Sequence, residues 1–257
     1  MQSLGILGVG ELTESIVRGL RRSGFDGPIL LSPRNAERAR ALAVEQACEV
    51  MPDNQAVVEN ADLLLLGVRP DSVAQLAAEV RLKPGQHLLS LVAGLHLHTL
   101  QATFADARCI RVMLSCAAQL NRSTVVVYPP DQATETILAP LGSLVVMDNE
   151  AAFELATVAA CMNGWFYFLL HDLQHWLVDK GLPAEQARTL VLGNLEDCVA
   201  SARARPDQTL KALGEAIATP GTFTATGLDV LHHQPGSATW AAACEVVFDA
   251  LLNRASR

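Results

Sequence analysis

The feature that most constrains this chain is a rhythm over its first 147 residues, where short apolar runs alternate with helix-patterned segments. Residues 4–7, 28–31, 49–51 and 62–68 read as strands, and 11–23, 35–46 and 54–60 as the helices between them. Within 11–23, Ile16, Val17 and Leu20 share one helical face. Strands that are apolar throughout, with Leu63 to Leu66 the extreme case, must be covered on both faces. That is the condition of a parallel sheet with helices on either side. Further strands are predicted at 87–92, 109–113, 124–127 and 144–146.

After Asp148 strand patterns give way to nearly continuous helical periodicity. A long helix over 151–179 is predicted to stop at Lys180-Gly181-Leu182-Pro183, where glycine caps one helix and proline opens the next. Helices follow at 184–203 and 206–218, then a loop at 219–224 and two short helices. The expected fold is therefore α/β, a doubly wound sheet in residues 1–147 followed by an all-α domain in 148–257. Helices apolar around most of their circumference need burial on more than one side. A homodimer or a higher homo-oligomer is the simplest way to supply it.

Composition narrows the function classes. Half of the 257 residues are hydrophobic, 18% are charged, and the net charge is −8 without a long run of one sign. This argues against nucleic acid or an acidic membrane surface as the main partner. The six cysteines form no CxxC pair and read as thiols in a reducing compartment. The start of the chain has no basic leader, and no uninterrupted apolar run reaches the roughly 18–20 residues that a bilayer requires. The expectation is a cytoplasmic protein with no membrane partner.

Gly8-Val9-Gly10-Glu11-Leu12-Thr13 follows the first strand directly and opens the first helix. That is the context in which a G-x-G turn holds a dinucleotide, making the first domain Rossmann-like. Gly8 permits the tight turn, and Gly10 lets the backbone approach a pyrophosphate. The phosphate then lies on the helix start, at Glu11 and Leu12, where N–H groups are free. Thr13 stands in the third small position. At the end of the second strand, an acid would bind the ribose 2′-hydroxyl of NAD. This chain has Ser32-Pro33-Arg34, with Arg38 a turn later, which suits the 2′-phosphate of NADP(H). The alternative is that both arginines are simply solvated.

Several blocks, in order and spacing, resemble the pyrroline-5-carboxylate reductase family along the whole chain. They are Ile6 to Gly10, Ala61-Asp62-Leu63 through Val68-Arg69-Pro70 (the family's "ADVVILAVKP"), and Ser90-Leu91-Val92-Ala93-Gly94 (its "SIAAG"). Arg111-Val112-Met113, Gly181-Leu182-Pro183, Thr219-Pro220-Gly221 and Gly227-Leu228 extend the likeness. The resemblance implies a Rossmann domain plus a helical dimerisation domain, with the active site where they meet across subunits. It also implies NADP(H)-dependent reduction of a C=N bond in a small cyclic imine or imino acid, and a place in proline biosynthesis. Val68, Arg69, Pro70, Ala93 and Gly94 then join the cofactor-binding residues Gly8, Gly10, Glu11, Leu12, Thr13, Ser32 and Arg34.

The substrate motifs depart from the family. Its "PNTP" is here Leu114-Ser115-Cys116-Ala117, and its "GSGPAY" is Ala160-Cys161-Met162-Asn163-Gly164-Trp165. Its "PGGTT", which holds a carboxylate and offers a hydroxyl to the imine nitrogen, is Pro220-Gly221-Thr222-Phe223-Thr224. Thr224, Thr222 and Asn163 are the candidate catalytic donors, Thr224 first because it keeps its family position. The alternative function is an NADP(H)-binding homologue that has lost catalysis and serves a regulatory or structural role. Trp165 can line a pocket or pack a core. His171 and His175, at i and i+4, can pair across an interface or begin a metal site, but no third ligand is evident and no metal is expected. His232-His233 is placed in a turn, and His96 is a candidate acid–base group beside the nicotinamide. The lysines are Lys83, Lys180 and Lys211, none at the start of the long helix, which disfavours the mechanism of the hydroxyacid dehydrogenases.

Overall fold

A computed structural model describes residues 2–233 and 236–255. It divides into two compact units, Met1–Ala160 with Phe248–Arg257, and Cys161–Val247.

The first unit carries eight strands: β1 (Leu4–Leu7), β2 (Ile29–Leu31), β3 (Glu49–Val50), β4 (Leu63–Leu66), β5 (His87–Ser90), β6 (Arg108–Met113), β7 (Ser123–Tyr128) and β8 (Gly142–Val146). Between them run α1 (Glu11–Arg22), α2 (Ala36–Gln46), α3 (Asn54–Asn60), α4 (Val73–Glu79), α5 (Leu97–Thr103) and α6 (Gln132–Leu138). The spatial order is β3-β2-β1-β4-β5-β6-β7-β8. The all-leucine strand β4 explains itself here. Leu63 and Leu65 point into a cluster with Ile16, Val17 and Leu20 of α1, while Leu64 and Leu66 point into a second with Val57, Val58 and Leu100. Alternation of side chains across a pleated strand thus feeds two cores, one on each face of the sheet.

The expected all-parallel sheet needs one correction: β6 and β7 pair antiparallel, with Arg111 opposite Tyr128. The link from Met113 to Ser123 is shorter than the dozen or so residues that a parallel crossover takes. A 3-10 turn over Cys116–Leu120 and Asn121, in the left-handed region at φ 57°, reverse the chain instead. Asn121 Nδ2 secures the reversal by donating to Gly19 O at 2.9 Å and Pro140 O at 2.8 Å.

Helix α7 (Glu150–Asp179) begins in the first unit and continues into the second. It ends as the sequence predicts. Gly181 is left-handed at φ +99°, Leu182 N–H reaches Leu177 O at 3.1 Å, and Gly181 N–H reaches Val178 O at 2.9 Å. The second unit continues with α8 (Ala184–Ala204), α9 (Leu210–Ile217), α10 (Phe223–His233) and the first part of α11 (Gly236–Ala255), whose residues from Phe248 onward belong to the first unit. Four expectations change. Helix α9 starts at Leu210 rather than near 206, because the Thr209 hydroxyl caps it by accepting Ala212 N–H at 3.1 Å. The loop 219–224 is shortened by α10, which takes in Phe223 and Thr224. His232 and His233 are helical rather than in a turn, and α11, at 20 residues, is not short.

In the single chain this helical unit leaves much apolar surface open. Phe168 is 72% exposed and Tyr167 70%, and a groove of about 550 Å³ between α7 and α8 is lined by Phe166, Leu173, Trp176, Leu190 and Leu195. Helix α7 is also long and apolar enough to cross a membrane by length and composition. The sequence reading missed this because His171 and Asp172 interrupt the run without lowering the average of a longer window much.

Candidate functional site

The sheet order reverses direction between β1 and β4, and the C-terminal ends of β1, β4 and β5 stand side by side. In open α/β sheets the crevice at such a point is where ligands bind. The three loops that leave these strand ends carry Gly8–Gly10, Val68–Pro70 and Ala93–Gly94, so residues up to 86 positions apart in sequence (8 to 94) share one edge of the sheet. Gly8 and Gly94 are both left-handed, at φ +100° and +70°.

The two glycines of the first loop differ in kind. A Cβ on Gly8 would meet Val68 Cγ1 at 2.7 Å, so Gly8 is required by the fold itself. Gly10 has φ −142° and ψ 179°, which any residue adopts, and a Cβ there would have nothing within 4 Å. The space above Gly10, at the start of α1, is open, so its bareness is not a demand of the packing and leaves room for a phosphate at the helix N-terminus. The residues present therefore fit a dinucleotide. Glu11 is exposed in the first turn, and Leu12 packs against the core cluster.

Two members of the expected cofactor set are placed otherwise. Ser32 is 1% exposed and its Oγ accepts the Gly8 N–H at 3.0 Å. It braces the loop from the end of β2. Thr13 is also 1% exposed and lies behind the loop, its hydroxyl turned to the backbone of Gly8 and Gly10. Arg34 is exposed beyond β2 and Arg38 lies 3.3 Å from Glu14. Arg69 and Ala93 are exposed, while Val68 and Gly94 are half-buried.

His96 is buried. It is 6% exposed, with Nδ1 3.6 Å from Glu150 Oε1 and 3.5 Å from Glu154 Oε1. Arg111 Nη1 bonds the same two oxygens at 2.7 and 2.6 Å, and its guanidinium stacks 4.4 Å from the Phe153 ring. Glu150 Oε1 also accepts the Leu97 N–H at 2.6 Å. His96, Glu150 and Glu154 have the mutual spacing of metal ligands, but the guanidinium already supplies the positive charge that joins the carboxylates. The sequence reading singled out Arg111 only as part of a motif. A lone arginine in the apolar strand Cys109 to Met113 is the signal that a buried partner exists.

In the second unit, the Thr222 hydroxyl donates to Thr219 O at 2.8 Å and accepts Ala225 N–H at 3.1 Å, which makes it the cap of α10. Thr224 and Asn163 are exposed, and Phe223 is 97% exposed rather than folded inward. Trp165 meets Trp240 edge-on, with ring centroids 6.1 Å apart. His171 and His175 stack at 6.0 Å, and His175 Nε2 lies 3.7 Å from Asp179 Oδ2. Burial pushes Cys109 up to about 11, and burial, then the neighbouring Cys244, raises Cys161.

Residues 3–94 match the family described as NADP oxidoreductase coenzyme F420-dependent, and residues 150–251 match pyrroline-5-carboxylate reductase dimerisation. The pyrroline-5-carboxylate reductase of Glycine max is 30% identical over 244 residues, covering 90% of this chain and 88% of that protein. The crystal structure of the Streptococcus pyogenes enzyme of that name superposes with a TM-score of 0.85 at 24% identity, over 97% of both chains. The Plasmodium falciparum enzyme, solved with NADP bound, gives 0.84 at 19% identity over 98% of both. A glycine turn at the switch point of the sheet, a helical unit matching the dimerisation family and this full-length likeness converge: the chain belongs to the pyrroline-5-carboxylate reductase family.

Proposed function

We propose that this protein is an NADPH-dependent reductase that adds hydride to the C=N bond of a small cyclic imino acid of the pyrroline-5-carboxylate type. The observation that carries the reading is the open backbone at Gly10, set at the switch point of the sheet in a chain of this family. NADPH supplies the hydride when bound. The chain has only to orient the reactants, polarise the imine and keep water out. In this reading the cofactor is held by Gly8, Gly10, Glu11, Leu12, Arg34, Val68, Arg69, Pro70, Ala93 and Gly94, with Ser32 and Thr13 bracing from behind. Thr224 is the hydroxyl donor to the imine nitrogen, because the Thr222 hydroxyl is committed to capping α10. Asn163 is a second donor. The working partition remains 1–147 for cofactor and 148–257 for dimerisation and substrate. The exposed apolar faces of α7 and α8 support a homodimer, and six free cysteines suit the cytoplasm.

The first test is NADPH oxidation on adding pyrroline-5-carboxylate, in a sample where NADPH binding has been measured beforehand. Turnover supports the reading. Tight NADPH binding with no turnover of pyrroline-5-carboxylate or any other cyclic imine refutes it. Cofactor choice has its own test. Arg34→Ala is expected to weaken NADPH binding roughly tenfold or more and leave NADH nearly unchanged, since a charge-assisted bond to the 2′-phosphate is lost. Equal effects on both nucleotides in parallel titrations would remove Arg34 from the 2′-phosphate.

A further inference from the structure

We infer that Thr13 is a positioning residue for the nucleotide loop, and that Gly67 is the residue that makes room for it. The inference deepens the proposed function and rests on it.

Position 13 follows the G-x-G turn where a third small residue usually lets helix and strand approach closely. Here a threonine is 1% exposed. Its Oγ1 accepts the Gly10 N–H at 2.9 Å and lies 3.1 Å from Gly8 O and 2.9 Å from Gly10 O. The hydroxyl has a single proton to give. Gly10 O already receives the Glu14 N–H at 2.9 Å, so Gly8 O has the greater need of it. One side chain thus ties the C=O of the first glycine to the N–H of the second. The Gly8 N–H is held from the other side by Ser32 Oγ. The loop is bolted at three backbone atoms by two buried hydroxyls, which places it before any ligand arrives.

The methyl group completes the argument. A Cβ on Gly67, just past β4, would overlap Thr13 Cγ2 and come within 3.0 Å of Gly8 O. Gly67 therefore supplies the space that Thr13 occupies, and the two positions are coupled across 54 residues (13 to 67). A consequence for recognition follows. The Gly10 N–H is spent inside the protein, so a pyrophosphate takes its backbone bonds from Glu11 and Leu12, the first helical residues, whose N–H groups have no acceptor within the helix.

The test uses the full-length protein and reads NADPH dissociation constant and melting temperature together for Thr13→Val, Thr13→Ser, Gly67→Ala and the Thr13→Ser/Gly67→Ala pair. Valine keeps the shape and loses the hydroxyl, and it is expected to weaken NADPH roughly tenfold. Serine keeps the hydroxyl and is expected to bind within about twofold of wild type. Gly67→Ala alone is expected to weaken binding as valine does, and serine at 13 to relieve much of that loss by removing the methyl. Valine binding like wild type overturns the inference. So does a lowered melting temperature with unchanged affinity, which a purely structural threonine would give, or strict additivity of serine and alanine. A wild-type protein that binds no NADPH overturns the proposed function and this inference with it, whereas wild-type binding that is indifferent to Thr13 overturns this inference alone.

Discussion

A Gly10→Val protein is expected to fold and to have lost NADPH affinity by about a hundredfold or more. The backbone at residue 10 is extended, a conformation β-branched residues favour, and the new side chain would enter open space. The cost to stability is the poorer helix cap, about 1 kcal/mol. The cost to binding is steric, because the added carbons stand where a phosphate would contact the start of α1. Gly8→Ala is the opposite case. Its φ of +100° and the 2.7 Å approach to Val68 Cγ1 strain the fold whether or not a ligand is present. Calorimetric titration with NADPH, paired with thermal melts of both variants, separates the two roles. A valine protein that binds NADPH normally would remove the pyrophosphate from this loop.

Arg111→Leu is expected to lower unfolding free energy by about 3–5 kcal/mol. The side chain is nearly inaccessible, and its guanidinium is bonded to Glu154, which is equally buried, and to the partly exposed Glu150. Removing it leaves two carboxylates sharing a buried site with His96 and no permanent positive charge between them. Such a loss is a large share of the roughly 5–15 kcal/mol by which domains are stable. Adding Glu154→Leu should recover most of the deficit, since the uncompensated charge rather than the missing bond dominates it. Urea denaturation of the two variants is the measurement. An Arg111→Leu protein within about 1 kcal/mol of wild type would mean that water reaches the cluster.

How far the sequence could be read depended on how local each feature was. Helix α3 was legible at 54–60 to the residue, and the structure adds that the Asp53 side chain caps it by accepting Ala56 N–H. The Gly181 stop of α7 was legible from a glycine that can turn left-handed, followed closely by proline. Helices α4, α5 and α6 were not, although Asp131 caps α6 as Asp53 caps α3. All four helices are seven residues long, and two turns hold few apolar positions to establish a period. The nucleotide loop could be found from its glycines and their flanking elements. Its bracing could not, because Ser32 and Gly67 come to Gly8 and Thr13 only through strand pairing β2-β1-β4.

By itself the sequence determined the alternation of strand and helix, the glycine turn, the change to an all-helical second part and the family these belong to. Backbone preference and apolar periodicity are carried by neighbours within a few residues, and no tertiary contact is needed to state them. The tertiary structure alone decided the reversal of β7, the two hydroxyls behind the loop, and the burial of His96 with Arg111, Glu150 and Glu154. Each of these depends on which polar groups the chain path brings together away from water. Such a group must then be paired, and its partner lies wherever the fold has carried it.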